Sequence, residues 1–583
     1  MSGFASIVLV EPSLSHLARA FTYGIPDGLA LDVGAVVRVP FRRRRRTGVV
    51  IALMAEPDVD RPLAVFGALG PGIEPQGVAL AEWVAGRYLS TFGEALAAVI
   101  PTRVASEEKA VSAAESAEAV GAPFADLRQG FAAYSEGGRL VRALETGGGE
   151  FVWRPRASSA RGEAVCAMVA TVVARGAGAL VLVPEVRVGG EVAAALRRAF
   201  GDDALALLGA DRSGRARYRD WLALRSGEKR IAVGSRSAVF APVRDLGLVV
   251  VDDEASAAYK EARAPRFHAR TVAVERAARA GATLVLVGVP PSVEARSATA
   301  RGPFVLVAPE RAREMRDRPP VTVVDMRAEG SGLVPSAPTL RSAAVELQAG
   351  RRIVLLAHRS AEDLASVADR AGRILAPAAV VRLDASATRA QVRAAVRSAQ
   401  CIVSTPFIAK DLAIEGVGML AILDADAALS SPEFRAAEEC FGTWWRASRF
   451  AVGGRVVLES LNPRQAAIVA LTRWDPDVLY RAEAARRKEL GYPPFAALAR
   501  IDVPAERAEE AARAVTQASE ALEVLGPAES GGRWVIVVRA RRRQELLDAL
   551  GPLAARWRSE GEPMRVDVDP WEVLVPKWRS CPS

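Results

Sequence analysis

Three consecutive carboxylates, Asp252, Asp253 and Glu254, follow the apolar run Leu248-Val249-Val250-Val251. Such a run reads as a buried parallel strand that carries the acids to the carboxyl edge of an α/β sheet, where ligands gather. In nucleoside triphosphatases that edge holds magnesium, and Asp252 retains the chemistry for it. A second strand-like segment, Ile231 to Val233, precedes it and runs into the turn Gly234-Ser235-Arg236-Ser237-Ala238. Two arginine clusters offer a different chemistry. Arg42, Arg43, Arg44, Arg45 and Arg46 form the densest charge in the chain, and Arg539, Arg541, Arg542 and Arg543 sit together near its end. Each guanidinium can present a bidentate fork to phosphate oxygens, so both clusters suit a nucleic-acid backbone. Runs of like charge are also simply solvated, as a hairpin tip in the first case and a helix start in the second.

The elements that would position these groups alternate along a chain of 583 residues, 50% hydrophobic and 25% charged, long enough for about three or four domains. Residues 1–102 read as a small β-rich domain, with strands at 7–10, 21–24, 35–41 and 47–53, closed by a helix over 78–96. Residues 103–147, rich in Ala, Glu, Ser and Gly, read as a linker with short helices. From 148 to 316 strands and helices alternate, beginning with strand 151–153, helix 163–174 and strand 179–183. Residues 466–583 read as a compact α+β module, with strands at 498–503, 534–538 and 564–568 and helices at 506–522 and 542–557.

The balance of 77 basic against 68 acidic residues, a formal charge of +9, favours a polyanionic partner. Cys166, Cys401, Cys440 and Cys581 are scattered singly and the chain holds three histidines, which excludes a conventional zinc module and points to a reducing, cytoplasmic compartment. The start, MSGFASIVLVEP, lacks the basic and long apolar regions of a signal peptide. The longest apolar run within a helical pattern, 164–174, falls short of the roughly 20 residues that span a bilayer. No membrane role is expected.

The strand motif Val250-Val251-Asp252-Asp253-Glu254-Ala255 with Tyr259-Lys260, and the Gly234 to Ala238 turn, resemble the primosomal replication-restart family of superfamily two DNA helicases, the PriA family. The likeness runs through the chain in order. At the start Arg19, Phe21, Tyr23, Pro26, Gly28, Gly34, Val37, Val39, Pro40, Phe41, Gly48, Val49, Val50 and Pro101 match the pattern of the family's domain for the 3′ end of DNA. Thr22 stands where the family has Asp, and Arg42 where it has Gly. Val183 to Val186, Trp221 and Phe267-His268-Ala269-Arg270 match the first motor lobe, with His268 read as structural. Residues 317–465 match the second lobe through Ala357-His358-Arg359-Ser360, Cys401 to Asp411, Ala421 to Asp426 and Pro432 to Glu439. The family's long cysteine-rich zinc insertion is missing from this lobe. Gly491 to Phe495, Leu525-Gly526-Pro527, Gly531 to Trp534 and Asp567 to Pro570 match the C-terminal domain. The implied fold is α/β and multidomain: two RecA-like lobes, at 148–316 and 317–465, between a β-rich N-terminal domain and a small α+β C-terminal one. Residues 103–147 are too short to hold comfortably the family's winged helix, which is expected to be trimmed or absent.

The motor motifs are where the likeness breaks. A phosphate loop needs glycines whose N–H groups cradle phosphate, a Lys on the β and γ phosphates and a hydroxyl on magnesium. In its place stands Pro155-Arg156-Ala157-Ser158-Ser159-Ala160-Arg161-Gly162. Asp253 replaces the water-activating Glu, Ala255 a coupling His, and Gly288-Val289-Pro290-Pro291-Ser292 the family's GSATP. Trp444-Trp445-Arg446-Ala447-Ser448-Arg449 replaces the glycine-rich arginine-finger motif, and both tryptophans read as core. The resemblance therefore implies a restart factor that binds branched or fork DNA and docks primosome proteins, with single-stranded DNA-binding protein a further partner, in the nucleoid. ATP hydrolysis is not expected, and Arg161 and Asp252 are left to meet a nucleotide weakly. Zinc is not expected. The alternatives are an active ATP-dependent 3′–5′ helicase with an atypical loop, and a small-molecule enzyme on an α/β scaffold.

Overall fold

The computed structural model describes residues 3–11, 14, 17–108, 126–157, 160–184, 190–330, 334–358, 361–409 and 414–574. At the N-terminus, strands Gly3–Leu9, Phe21–Ile25, Val36–Phe41 and Arg44–Met54 form an antiparallel sheet. The segment 63–68 then crosses from one edge to the other. Leu63–Ala64 pairs with the strand at Tyr23, and Gly67–Ala68 with the strand at Val37, so the sheet closes on itself. Ala5, Ile7, Tyr23, Val37, Val39, Val50 and Val65 fill its interior. The single helix expected over 78–96 is two, Pro75–Arg87 and Phe92–Val99. Leu89 at φ 51 breaks the path, and a capping box between Thr91 and Glu94 starts the second helix.

Two parallel sheets follow. Counting strands within each lobe, the first runs 7-1-6-5-2-4-3 from Glu150–Trp153 to Val305–Val307, and the second runs 1-6-5-2-4-3 from Val321–Asp325 to Arg455–Ser460. The two RecA-like lobes share one strand order, with a seventh strand added at the edge of the first. Their central strands are buried along their whole length, as Leu246–Val251 and Val417–Leu423 show. That explains the unbroken apolar runs in the sequence.

The segment read as a linker contributes to the first lobe. Phe131, Tyr134, Leu140 and Leu144 are buried in that lobe's core beside Trp153. Helices Ala466–Arg473 and Pro476–Glu489 pack on the second lobe, where Ile468, Leu471, Trp474 and Leu479 join Trp445. A division at 465/466 therefore falls inside this packing. The C-terminal sheet itself begins at Ala497 and has four antiparallel strands. The helix expected over 506–522 ends at Ala518, and Leu522–Ser530 is an edge strand, mostly exposed and broken in register near Gly526-Pro527. Its weak apolar alternation hid it from a periodicity reading.

His358, at the end of the strand Arg352–Ala357, accepts a hydrogen bond from Trp444 Nε1 at 2.9 Å, and burial pushes its imidazole down to about 4 from 6.5. His268 is pushed down in the same way by burial, with Arg270, Lys260 and Arg435 adding to it. The unfolded chain takes up these protons near 6.5 while the folded chain refuses them, so stability should fall as pH drops from about 6.5 toward 4. Urea midpoints at several pH values check this. His358→Gln, which keeps an acceptor for Trp444, should flatten the slope.

Candidate functional site

The strand Leu246–Val251 delivers Asp252, 2% exposed, to the carboxyl edge of the first sheet, and Asp253 turns the chain at φ 46. Opposite, Arg161 opens the helix Arg161–Ala174 and is 3% exposed. Its Nε lies 3.3 Å from Asp252 Oδ1 and its Nη2 3.6 Å from Glu191 Oε2. Glu191 Oε1 in turn accepts from Gly162 N at 3.0 Å. A helix N-terminus is where N–H groups and the macrodipole would receive a phosphate. Here a carboxylate of the chain takes the N–H, and a guanidinium stands against the aspartate that would hold magnesium. Gly162 serves packing, because a Cβ there would lie 2.6 Å from Ala195 Cβ and 2.8 Å from Glu191 O. Only glycine admits the Glu191 helix so close. These residues do not fit a nucleotide with its magnesium.

The second lobe reaches across the cleft. From helix Ala436–Ser448, Arg446 Nη1 reaches Asp253 Oδ1 at 3.1 Å and Val289 O at 3.4 Å. Arg449 Nη2 reaches Glu191 Oε2 at 3.4 Å. Both arginines thus meet carboxylates of the first lobe. Glu254, fully buried, accepts from Ser292 N at 2.5 Å, Ser292 Oγ at 2.9 Å and Arg270 Nη1 at 2.6 Å. Burial pushes its carboxyl up, and Arg270 with the two Ser292 donors opposes the push. Further out, Arg435 and Arg487 approach Glu294 at 2.6 and 3.6 Å, Arg487 meets Glu438 at 2.5 Å, and Tyr480 donates to Pro291 O at 2.7 Å. Against burial, Arg435, Arg487 and Arg270 hold the Glu294 carboxyl down to about 2. Trp444 and Trp445 are core residues, 0% and 2% exposed.

Lys260 is a tie that sequence reasoning did not assign. Its Nζ donates to Val568 O at 2.9 Å and pairs with Asp567 at 2.7 Å, pinning the C-terminal sheet to the first lobe. Trp571 stacks on His268 and donates to Glu439 Oε1 at 2.9 Å, so the end of the described chain bridges both lobes. The N-terminal and C-terminal domains also touch, through Arg558 on Leu89 O at 2.7 Å. The recurrence of Tyr-Lys after the acidic motif was the only hint of this junction in the sequence.

The arginine hairpin presents a different face. Arg42 and Arg43 form its tip at φ 45 and 60, and Arg42, Arg43, Arg44 and Arg45 are all exposed. Arg46 is the exception, ion-paired with Glu11. Arg42 lies over Phe41, and Arg45 over Phe66. Thr22, in place of the family's Asp, donates to Asp58, so a carboxylate stands at this spot from another segment. The C-terminal cluster is spent differently. Arg543 forms a bidentate pair with Asp569 at 2.7 and 2.9 Å, Arg542 pairs with Glu545, and Arg539 contacts Glu523 and Leu490 O. Arg541 is exposed and makes no ion pair among the described residues. Three of the four pair with acids of their own domain, Arg542 with its side chain 80% exposed.

Ser158, Ser159, Glu185, Val186, Arg359, Ser360, Lys410, Asp411 and Cys581 lie outside the described residues. Among the described residues no group of three or more His, Cys, Asp or Glu side chains could hold a metal ion, and no helix is long and apolar enough to cross a membrane.

Residues 7–101 match the family described as the 3′ DNA-binding domain of PriA, and residues 488–571 the primosomal protein N C-terminal domain. A probable replication restart protein PriA of Mycobacterium tuberculosis (strain CDC 1551 / Oshkosh) is 30% identical over 597 residues, covering 88% of this chain and 89% of that one. The chain belongs to the PriA family. The PriA of Treponema pallidum (strain Nichols) is 29% identical over 657 residues, 96% of this chain and 98% of its own. Among solved structures, RecG bound to a three-way DNA junction is similar at TM-score 0.41 and 11% identity, over 71% of this chain and 51% of that one, too loosely to bear on function.

Proposed function

We propose that the chain is a replication-restart factor that binds branched DNA at abandoned forks and gives restart proteins a platform, its motor fold serving as scaffold. Full-length similarity to restart relatives supports the role, and the exposed Arg42 to Arg45 tip on the domain that matches the 3′ DNA-binding family supports the DNA contact. The observation that carries the scaffold half is the cluster of Arg161, Asp252 and Glu191, in which the chain's own charges neutralise the nucleotide end of the cleft. The partners that fit this role are fork DNA, the other primosome proteins and single-stranded DNA-binding protein, and its place is the nucleoid.

The test is binding to a fork and to a linear duplex at one salt concentration, with and without ATP and magnesium. The fork should bind more tightly, and nucleotide should change neither affinity. Phosphoryl transfer depends on positioned charge, and an arginine finger alone is worth about 10³ to 10⁵ in rate, so phosphate release should stay at background with or without DNA. Equal affinity for fork and duplex would overturn the DNA reading. DNA-stimulated hydrolysis lost on Asp252→Ala would overturn the scaffold reading.

A further inference from the structure

We propose that Phe66 is a stacking platform for an unpaired nucleobase of a DNA strand held by the arginine hairpin. This rests on the DNA-binding reading above and adds to it a residue and a kind of strand. Phe66 lies in the segment that closes the N-terminal sheet, where its N–H donates to Arg38 O at 2.8 Å. Val65 before it is 3% exposed and points inward, so the period-two alternation of extended chain turns Phe66 outward. Its backbone is fixed and its ring is 54% exposed.

A single exposed apolar side chain is ordinary on a protein surface. Its neighbours set this one apart. The Arg45 guanidinium stands 5.0 Å from the ring centroid, and Arg45 pairs across the hairpin with Pro40. Arg38, two residues before Pro40 and so on the same face of its strand, is also exposed. A half-exposed ring is thus presented with the Arg45 guanidinium over one face and Arg38, a second exposed cation, on the adjoining strand. Phe41 faces the other way, packed edge-on against Phe21 with centroids 5.1 Å apart, and is no open platform. Aromatic rings beside a cationic track are how proteins hold single strands without reading sequence, because every base has a π-face. In a duplex those faces are already stacked, so the ligand of Phe66 is an unpaired arm.

The experiment compares forks whose single-stranded arm carries either ordinary bases or abasic sites. Phe66→Ala should weaken binding of the base-bearing fork by about 5- to 150-fold. It should leave the abasic fork and the salt dependence unchanged, while Phe66→Trp keeps full affinity. A 2-aminopurine in the arm should be quenched by the wild-type protein and not by Phe66→Ala. Equal loss on both forks, or no loss on either, would overturn the stacking role. Wild-type protein that binds neither fork defeats the DNA-binding reading itself, whereas binding both equally defeats the stacking proposal alone.

Discussion

Arg161→Met is expected to lower the free energy of unfolding by about 3–5 kcal/mol, the usual cost of removing one partner from a buried ion pair. Both side chains of the Arg161–Asp252 pair are 3% exposed. Without the guanidinium, the buried carboxyl of Asp252 loses its ion pair to the helix Arg161–Ala174. Arg161→Lys keeps the charge and loses the fork that spans Asp252 and Glu191, so it should fall between. The double change Arg161→Met with Asp252→Leu should recover most of the loss, since apolar residues often replace a buried pair at little cost. Denaturant midpoints of the four proteins decide the matter. An arginine waiting for phosphate would behave in the opposite way, and Arg161→Met would then leave stability unchanged or raise it.

The second large effect lies at the hairpin. Changing Arg42→Asn, Arg43→Gly, Arg44→Ser and Arg45→Ser together should weaken fork binding about 10²- to 10³-fold near 0.1 M salt, and reduce the slope of log affinity against log salt by about 3. Folding should survive. Arg42 and Arg43 sit at φ 45 and 60, where Asn and Gly are preferred, so the variant relaxes the turn. Arg46 stays, because it holds Glu11. Side chains kept in an unfavourable conformation at an exposed tip are better explained by what they touch than by what they stabilise. A variant with wild-type affinity and slope would show that the tip is merely solvated.

The motor strands were legible because a buried parallel strand needs an unbroken apolar run, and the short, mostly β-branched run Leu248 to Val251, ending in three acids, suits a strand better than a helix. The N-terminal strands were legible from alternation and from their order. What escaped were the features made by tertiary contact. Glu191 is 30 positions from Arg161 and opens another helix, so nothing local announced that its carboxylate would occupy the Gly162 N–H. The helices from Leu127 to Thr146 looked like linker because they lie in a stretch, 103–147, rich in Ala, Glu, Ser and Gly, yet Phe131, Leu140 and Leu144 sufficed to bury one face. Arg543 looked like a phosphate ligand because sequence shows a charge and hides its counter-charge, Asp569.

The ties across the cleft, Arg446 to Asp253, Arg449 to Glu191 and Arg435 to Glu294, bear on mechanics as well as on stability. A body fastened at this many points resists deformation, so when it meets a nucleic acid the bending work falls on the softer party. Curving 20–30 base pairs costs about 1–6 kcal/mol. A DNA branch, already bent and loosened where its arms meet, arrives with that work done. Part of the discrimination between a junction and a straight duplex then comes from elastic energy, which needs no contact to a base edge.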